Sequence, residues 1–335
     1  MASFIAVGAI AVAIVMALGC VEPETPAEMT AINIGYQPST HQLAAMVADE
    51  KGWWQEDLRE FGVEEIVMKE FPSGPEEMQA MIAGDLDVAY VGTTPPIIVM
   101  YEGLDAKIVA GVQTQGSALV VRPELAGEYE GPQSLKGKKI ATFPPGSIQY
   151  TLLSKWLIDN GMDPDEDVEI VAMSSGNAAF AIGTKTVDAV LLPSPTPTII
   201  EVEGNGVIVE WSGSMWPNHA CCCVVATEEM MTDHPELLKQ ILKTHIRATE
   251  YEIANPEEAA EIYAKVQGAD VATIKRSINV SDMHWIHDPH TIIASGLEYA
   301  QVIYELDSER YENLGIEVLG EEDIFDTSFY DDITG

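Results

Sequence analysis

The sequence predicts an α/β protein of two similar lobes, each an open, mostly parallel sheet flanked by helices. Three observations predict it. From Ala31 onward apolar strands alternate with amphipathic helices, one strand–helix–strand–helix unit is written twice, and the polar loops of both copies fall at the carboxyl ends of their strands. A chain of 335 residues is also long for a single domain.

Before the first strand, Phe4 to Leu18 is an uncharged apolar run, shorter than the roughly 20 residues that span a membrane. It has the character of a signal-peptide core. Leu18-Gly19-Cys20 follows and resembles a lipobox, so residues 1–20 are expected to be a signal peptide with Cys20 lipidated, and 21–30 a tether. The protein is then extracytoplasmic, anchored to the outer face of the cytoplasmic membrane. The first basic residue is Lys51, and an uncleaved N-terminal anchor would put the chain on the same side.

The first unit opens with a strand at Ile32–Gly35 that runs into Tyr36-Gln37-Pro38-Ser39-Thr40, then a helix carrying Leu43, Met46 and Val47 that stops near Gly52. Ser73 followed by Glu76 has capping-box spacing, and Gly84 ends that second helix before the strand Asp87-Val88-Ala89-Tyr90-Val91. The second unit repeats the order. A strand at Lys139–Thr142 runs into Phe143-Pro144-Pro145-Gly146-Ser147, a helix ends at Gly161, Ser175-Gly176-Asn177 opens another, and Asp188-Ala189-Val190-Leu191-Leu192 follows Gly183. Both Asp-led strands break into proline-rich turns, Thr93-Thr94-Pro95-Pro96 and Pro193-Ser194-Pro195. Beyond His234, Pro235 and Pro256 are placed to start two further helices.

Ligands of such sheets sit at the carboxyl ends of strands, where helix N-termini present free N–H groups. The candidate binding residues are therefore Gln37, Ser39, Thr40, His41, Ser73, Gly92, Thr93, Thr94 and Gln115 on one side, facing Ser147, Ser174, Ser175, Asn177 and Ser194 on the other. His219 would reach the ligand from the hinge. Any one of these hydroxyls could simply cap its own helix; the convergence of the set is what points to a cleft.

The charge narrows the partners: 54 acidic against 17 basic residues, a net −37, excludes a nucleic-acid backbone or an anionic membrane surface. Such a surface suits high salt, or simply resists aggregation. Cys221, Cys222 and Cys223 lie in an apolar stretch and are expected to form a buried strand, with Cys221 and Cys223 on one face and Cys222 on the other. They lack C-x-x-C spacing, so no metal site is expected there. His284, His287 and His290 are three apart, but Pro289 makes their segment a loop rather than a metal-binding helix face.

Ile34-Gly35-Tyr36-Gln37-Pro38, Ala48-Asp49-Glu50-Lys51-Gly52-Trp53-Trp54, Phe71-Pro72-Ser73-Gly74-Pro75, Ala83-Gly84-Asp85-Leu86-Asp87-Val88-Ala89-Tyr90-Val91-Gly92 and Leu135-Lys136-Gly137-Lys138-Lys139-Ile140-Ala141 together resemble the nitrate, sulfonate and taurine type of periplasmic-binding-protein-like receptors. The resemblance covers about Ile32 to Lys265. It implies a type II periplasmic-binding-protein fold, with lobe one from residues 31–118 plus 222–335, lobe two from 119–221, and crossovers near Leu119 and Cys221. It also implies a small-molecule ligand held at the cleft, an ABC permease as partner, membrane contact through a lipid anchor only, no cofactor, and a monomer.

One branch of the same superfamily is enzymatic, the fungal synthases of the thiamine pyrimidine, and it carries a Cys-Cys-Cys-Phe-Cys run. Here Val224 and Val225 follow the cysteines, and Gly92-Thr93-Thr94-Pro95-Pro96-Ile97 offers neither the cofactor lysine nor the consumed histidine of those enzymes. No G-x-S-x-G, H-E-x-x-H or phosphate loop is present in the sequence, so a binding protein is expected and not an enzyme. The cleft loops hold no Lys or Arg, leaving helix N-termini near Ser147 and Ser175 to compensate an anion, which is the first expectation for the ligand. A neutral heterocycle such as a thiamine-pyrimidine precursor is the alternative, with Tyr36, Tyr90, Trp211 and Trp216 as nearby rings.

Overall fold

The computed structural model describes residues 29–335. The expected signal peptide, Cys20 and nearly all of the tether lie outside the described residues. In the first unit β1 (Ala31–Tyr36), β2 (Glu65–Glu70) and β3 (Val88–Gly92) are parallel neighbours, linked by helices at Leu43–Glu50, Trp53–Leu58 and Gly74–Ile82. β4 (Ala106–Thr114) completes the first pass through this sheet. Two residues later β5 (Ser117–Val121) belongs to a second sheet. There the unit recurs as β6 (Lys139–Thr142), β7 (Glu169–Ala172) and β8 (Ala189–Pro193), with helices at Ile148–Asp159 and Ser175–Gly183. β9 (Val207–Trp211) closes the second sheet, and β10 (Ala220–Thr227) returns the chain to the first, where β11 (His284–Trp285) is an edge.

The strand orders are β11-β4-β10-β3-β1-β2 and β7-β6-β8-β5-β9. The expectation of mostly parallel sheets holds inside the repeated units and fails around them. β10 pairs antiparallel with β3 and β4, and β5 antiparallel with β8 and β9, so both sheets are mixed. The physical reason is that a strand entering from the other lobe is not delivered by a helical crossover, and only such a crossover forces parallel pairing.

The repeated aspartate has a structural role in each copy. The Asp87 carboxylate accepts from the Asn33 N–H at 2.7 Å, and the Asp188 carboxylate from the Lys139 N–H at 2.9 Å, so each ties the start of the third strand of its unit to the first strand. Asp188 also receives Arg122 at 2.5 Å. Proline stands at the first position of the helices Pro235–Ala254 and Pro256–Gln267, as expected; both pack on the outer face of the first lobe against helix Leu43–Glu50.

Where the chain changes lobes, one side chain holds both connections. The Asp282 carboxylate accepts from the Gly116 N–H at 2.8 Å and from the Gly213 N–H at 2.7 Å, and its carbonyl accepts from Gln115 Nε2 at 2.6 Å. Gly116 must be glycine on two counts: its φ of +82° lies in the left-handed region, and a Cβ there would stand 2.6 Å from Met283 Cβ.

The core of the first lobe contains an uncompensated acid. Glu252 is fully buried with neither carboxylate oxygen hydrogen-bonded, and burial raises its pKa well above the ordinary range. Such a group binds its proton more tightly in the folded chain, so stability falls as pH rises above the unfolded value near 4.5. Glu252→Gln is therefore expected to raise the unfolding midpoint more at pH 8 than at pH 5, read by paired thermal melts; equal shifts at both pH values would contradict this.

Candidate binding cleft

The repeat brings the carboxyl ends of β1, β2 and β3 to face those of β6, β7 and β8, and the lobes meet there. The Thr40 N–H donates to the Ser194 carbonyl at 3.1 Å and Thr94 Oγ1 to the Gly146 carbonyl at 3.0 Å. Arg276 pairs with Glu201 across the same divide. Between the lobes lies a cavity of about 240 Å³ lined by Gln37, Ser39, Glu70, Phe71, Phe143, Ser174, Ser175, Gly176, Pro193 and Thr196 among others. At about 30 Å³ for each water, that is room for roughly eight waters or one small solute. Deeper in, Gln37, Ser39, His41, Gln42, Gly92, Ser147, Gln149, Cys221 and Cys222 surround a gap of only about 10 Å³.

Among the described residues no Lys or Arg lines either space, and Glu70 borders the larger one. The compensation available to an anion is backbone. The helix Ser175–Gly183 begins at the cavity with Ser174 as its N-cap, and no side chain caps it. Its first N–H groups therefore carry the partial positive charge of the helix end into the cleft. The other helix end expected to serve is partly satisfied: Ser147 Oγ accepts from the Tyr150 N–H at 3.2 Å.

A chain of buried polar groups forms the floor. Gln37 Nε2 donates to Glu77 at 2.8 Å, the Gln37 N–H to Gln42 Oε1 at 2.6 Å, and Gln42 Nε2 to Cys222 Sγ at 3.7 Å. Cys222 and Cys221 Sγ are 3.9 Å apart, Cys221 Sγ is 3.3 Å from His41 Nδ1, and His41 Nε2 is 3.0 Å from the Gly116 carbonyl. Since a carbonyl can only accept, Nε2 carries the proton and Nδ1 presents its lone pair to the thiol. Burial raises the Glu77 pKa well above the carboxylate range. Burial also pushes both thiols up; for Cys222 the hydrogen bonds from Cys221 and Gln42, together with the adjacent His41 ring, outweigh it and hold the thiol below its usual range.

The cysteines correct the expectation of strict alternation. β10 shifts register against β4 between Ala220 and Cys222 and again between Cys222 and Cys223, and such a bulge re-aims side chains. The neighbours Cys221 and Cys222 thus approach one another, while Cys223 Sγ lies alone at 3.7 Å from the Val91 carbonyl.

Of the sequence candidates, Gln37, Ser39, His41, Gly92, Ser147, Ser174 and Ser175 line the cleft. The others are used elsewhere. Thr93 Oγ1 donates to the Cys221 carbonyl, Ser194 Oγ to the Gly116 carbonyl, and Gln115 to Asp282, all holding the lobes or the hinge together. Thr40 and Thr94 make the interlobe contacts above. Ser73 is the N-cap of its helix without a capping bond, its hydroxyl lying 3.5 Å from Glu76, and Asn177 is exposed. His219 is buried beside Tyr299 OH at 3.1 Å, and burial lowers its pKa to about 4. Tyr36, Tyr90, Trp211 and Trp216 line neither space; the rings at the cavity are Phe71 and Phe143. Gln42, Gln149, Phe71, Phe143, Cys221 and Cys222 were missed; Phe71 and Phe143 each lie in a loop motif already singled out and the cysteines were read as core, so only Gln42 and Gln149 had no signal in the sequence.

Two mixed α/β lobes joined by two crossovers, with a small, partly open cavity between them, are the architecture of a two-lobed solute-binding protein. The chain belongs to the NMT1-like family, whose model matches residues 25–267. It is 28% identical over 251 residues to a Bacillus subtilis (strain 168) protein named for binding aliphatic sulfonates, covering 74% of this chain and 73% of that one. Two solved structures share the fold: the alkanesulfonate-binding protein SsuA of Xanthomonas axonopodis pv. citri bound to MOPS, and the periplasmic nitrate-binding protein NrtA of Synechocystis PCC 6803. The first matches with a TM-score of 0.71 at 20% identity over 83% of this chain and 94% of that one. The second matches with a TM-score of 0.75 at 14% identity over 91% and 88%. At these identities the likeness is one of fold. The resemblance drawn from the sequence is borne out, and these relatives and neighbours are solute-binding proteins and not enzymes.

Proposed function

We propose that this protein is the extracytoplasmic solute receptor of an ABC importer, lipid-anchored through Cys20, that captures a small sulfonate-, taurine- or nitrate-like anion between its lobes and presents the closed form to a permease. The observation that carries the anion reading is the uncapped helix end at Ser174–Gly176, which opens into a cavity free of basic side chains. The family membership and the sulfonate and nitrate ligands named for relatives support it. Lobe one would comprise residues 31–118 plus 222–335 and lobe two 119–221, hinged near the Asp282 contacts and acting as a monomer. Gln37, Ser39, Ser174 and Ser175 are the side chains placed to contact the ligand.

A second reading has its own support. Phe71 and Phe143 both border the cavity and could sandwich a flat heterocycle such as a thiamine-pyrimidine precursor. A thermal-shift screen of the purified protein separates the two. The true ligand at 100 times its Kd is expected to stabilise by about 2.7 kcal/mol. A shift with sulfonates, taurine or nitrate supports the anion receptor, and one with pyrimidines alone supports the second reading. No shift across all of these and simple carboxylates would overturn the receptor.

A further inference from the structure

We propose that His41, Cys221 and Cys222 form a three-ligand site for a thiophilic divalent cation of the zinc type at the floor of the cleft. The site rests on these residues alone and goes beyond the solute-receptor reading. All three are buried, and their ligand atoms lie within 4.8 Å of one another. The two separations at Cys221 suit an ion bonded at about 2.3 Å to sulfur and about 2.0 Å to nitrogen. With those bonds, the 3.9 Å between the sulfurs corresponds to an angle of about 115° at the metal, and the 3.3 Å between Cys221 Sγ and His41 Nδ1 to about 100°. Both bracket the tetrahedral value.

Three further features point the same way. The bulge in β10 removes the alternation that would separate adjacent thiols, and it does so at these two residues. His41 Nε2–H donates to the Gly116 carbonyl, which fixes the tautomer and turns Nδ1 toward the sulfurs, the arrangement typical of a metal-bound imidazole. Gln42 donates an N–H to Cys222 Sγ, a contact that a thiolate accepts well. Two thiolates against a divalent ion make the buried assembly neutral, and sulfur ligands disfavour calcium and magnesium. All three ligands border the small gap that continues the cleft, so a fourth position would face it.

The test is a cobalt titration of the full-length chain, reduced and metal-free, in a Cys20→Ser background that leaves only the three clustered cysteines. One equivalent of Co²⁺ is expected to produce a sulfur-to-cobalt charge-transfer band and the intense visible bands of a tetrahedral site, and Zn²⁺ should bleach both. Cys221→Ser, Cys222→Ser and His41→Ala should each weaken Co²⁺ binding at least 100-fold. Cys223→Ser should leave it unchanged, because that thiol lies apart against Val91. A folded parent protein that gives no charge-transfer band overturns the site whatever the variants do. So does a band that survives loss of Cys221 or Cys222, or one that needs Cys223.

Discussion

Gly92→Val is expected to hold the lobes apart and lower ligand affinity by roughly 30-fold. Gly92 ends β3 opposite Cys222 of β10, in a backbone conformation that any strand residue accepts, so the valine should not disturb its own sheet. The obstacle stands across the cleft, where a Cβ at Gly92 would lie 2.9 Å from Ile148 Cγ1 on the helix of the other lobe. Overpacking of this kind costs about 1–3 kcal/mol, and here it falls on the closed form alone. Since ligand binding draws on that form, about 2 kcal/mol translates into roughly a 30-fold loss. Small-angle scattering should show that the variant fails to contract on addition of ligand, while calorimetry reports the weaker Kd. Ile148→Ala in the Gly92→Val background removes the clashing carbon and should restore both. If the double variant stays weak, the valine is obstructing the ligand itself and not the closure.

The second large effect lies on the acid side. His245 is fully buried, donates Nε2–H to the Gly111 carbonyl at 2.8 Å, leaves Nδ1 without a partner and packs edge-on to Tyr90 at 5.3 Å. Burial lowers its pKa from 6.5 to about 4. Between those two values the unfolded chain takes up a proton that the folded chain refuses, so the stability is present above pH 6.5 and drains away toward pH 4. By pH 4.5 the loss from this residue should be about 2–3 kcal/mol. His245→Gln keeps an amide donor within reach of Gly111 and removes the titration. Urea unfolding of the two proteins at pH 7.5 and pH 4.5 should then show the parent losing about 2–3 kcal/mol more than the variant. Equal losses would mean that His245 is protonated inside the fold. Taking the difference between the two proteins also cancels the changing self-repulsion of a chain with net charge −37.

The fold was legible because its signals are local. Apolar runs, glycine stops and prolines at helix starts are each written within a few residues, and the order of the duplicated unit survives even where its sequence has drifted. The aspartates Asp87 and Asp188 could be seen to recur; their purpose, tying the third strand to the first, needed the pairing of β3 beside β1 and of β8 beside β6. The site was legible only as a set of loops. Which hydroxyls face the cavity depends on how the lobes meet, and closure takes up Thr40, Thr94 and Ser194 in protein–protein bonds while leaving Ser39 and Ser174 at the cavity. A search by polarity also passed over Phe71 and Phe143, and no pattern in sequence could place the register shift that gathers Cys221 and Cys222.

The double grip of Asp282 on Gly116 and Gly213 bears on how the molecule moves. Two independent linkers would let the lobes twist and shear as well as bend, and a ligand would have to freeze all of those motions at once. Because one carboxylate clasps both linkers, rotation at one strap is transmitted to the other, and the relative motion reduces to a swing about a single axis. On the proposed hinge, the apo protein is expected to sample a narrow family of arrangements, and capture to sacrifice little orientational entropy. A receptor built this way can bind tightly with few contacts, which suits a cavity that offers its solute backbone amides and hydroxyls but no basic side chain.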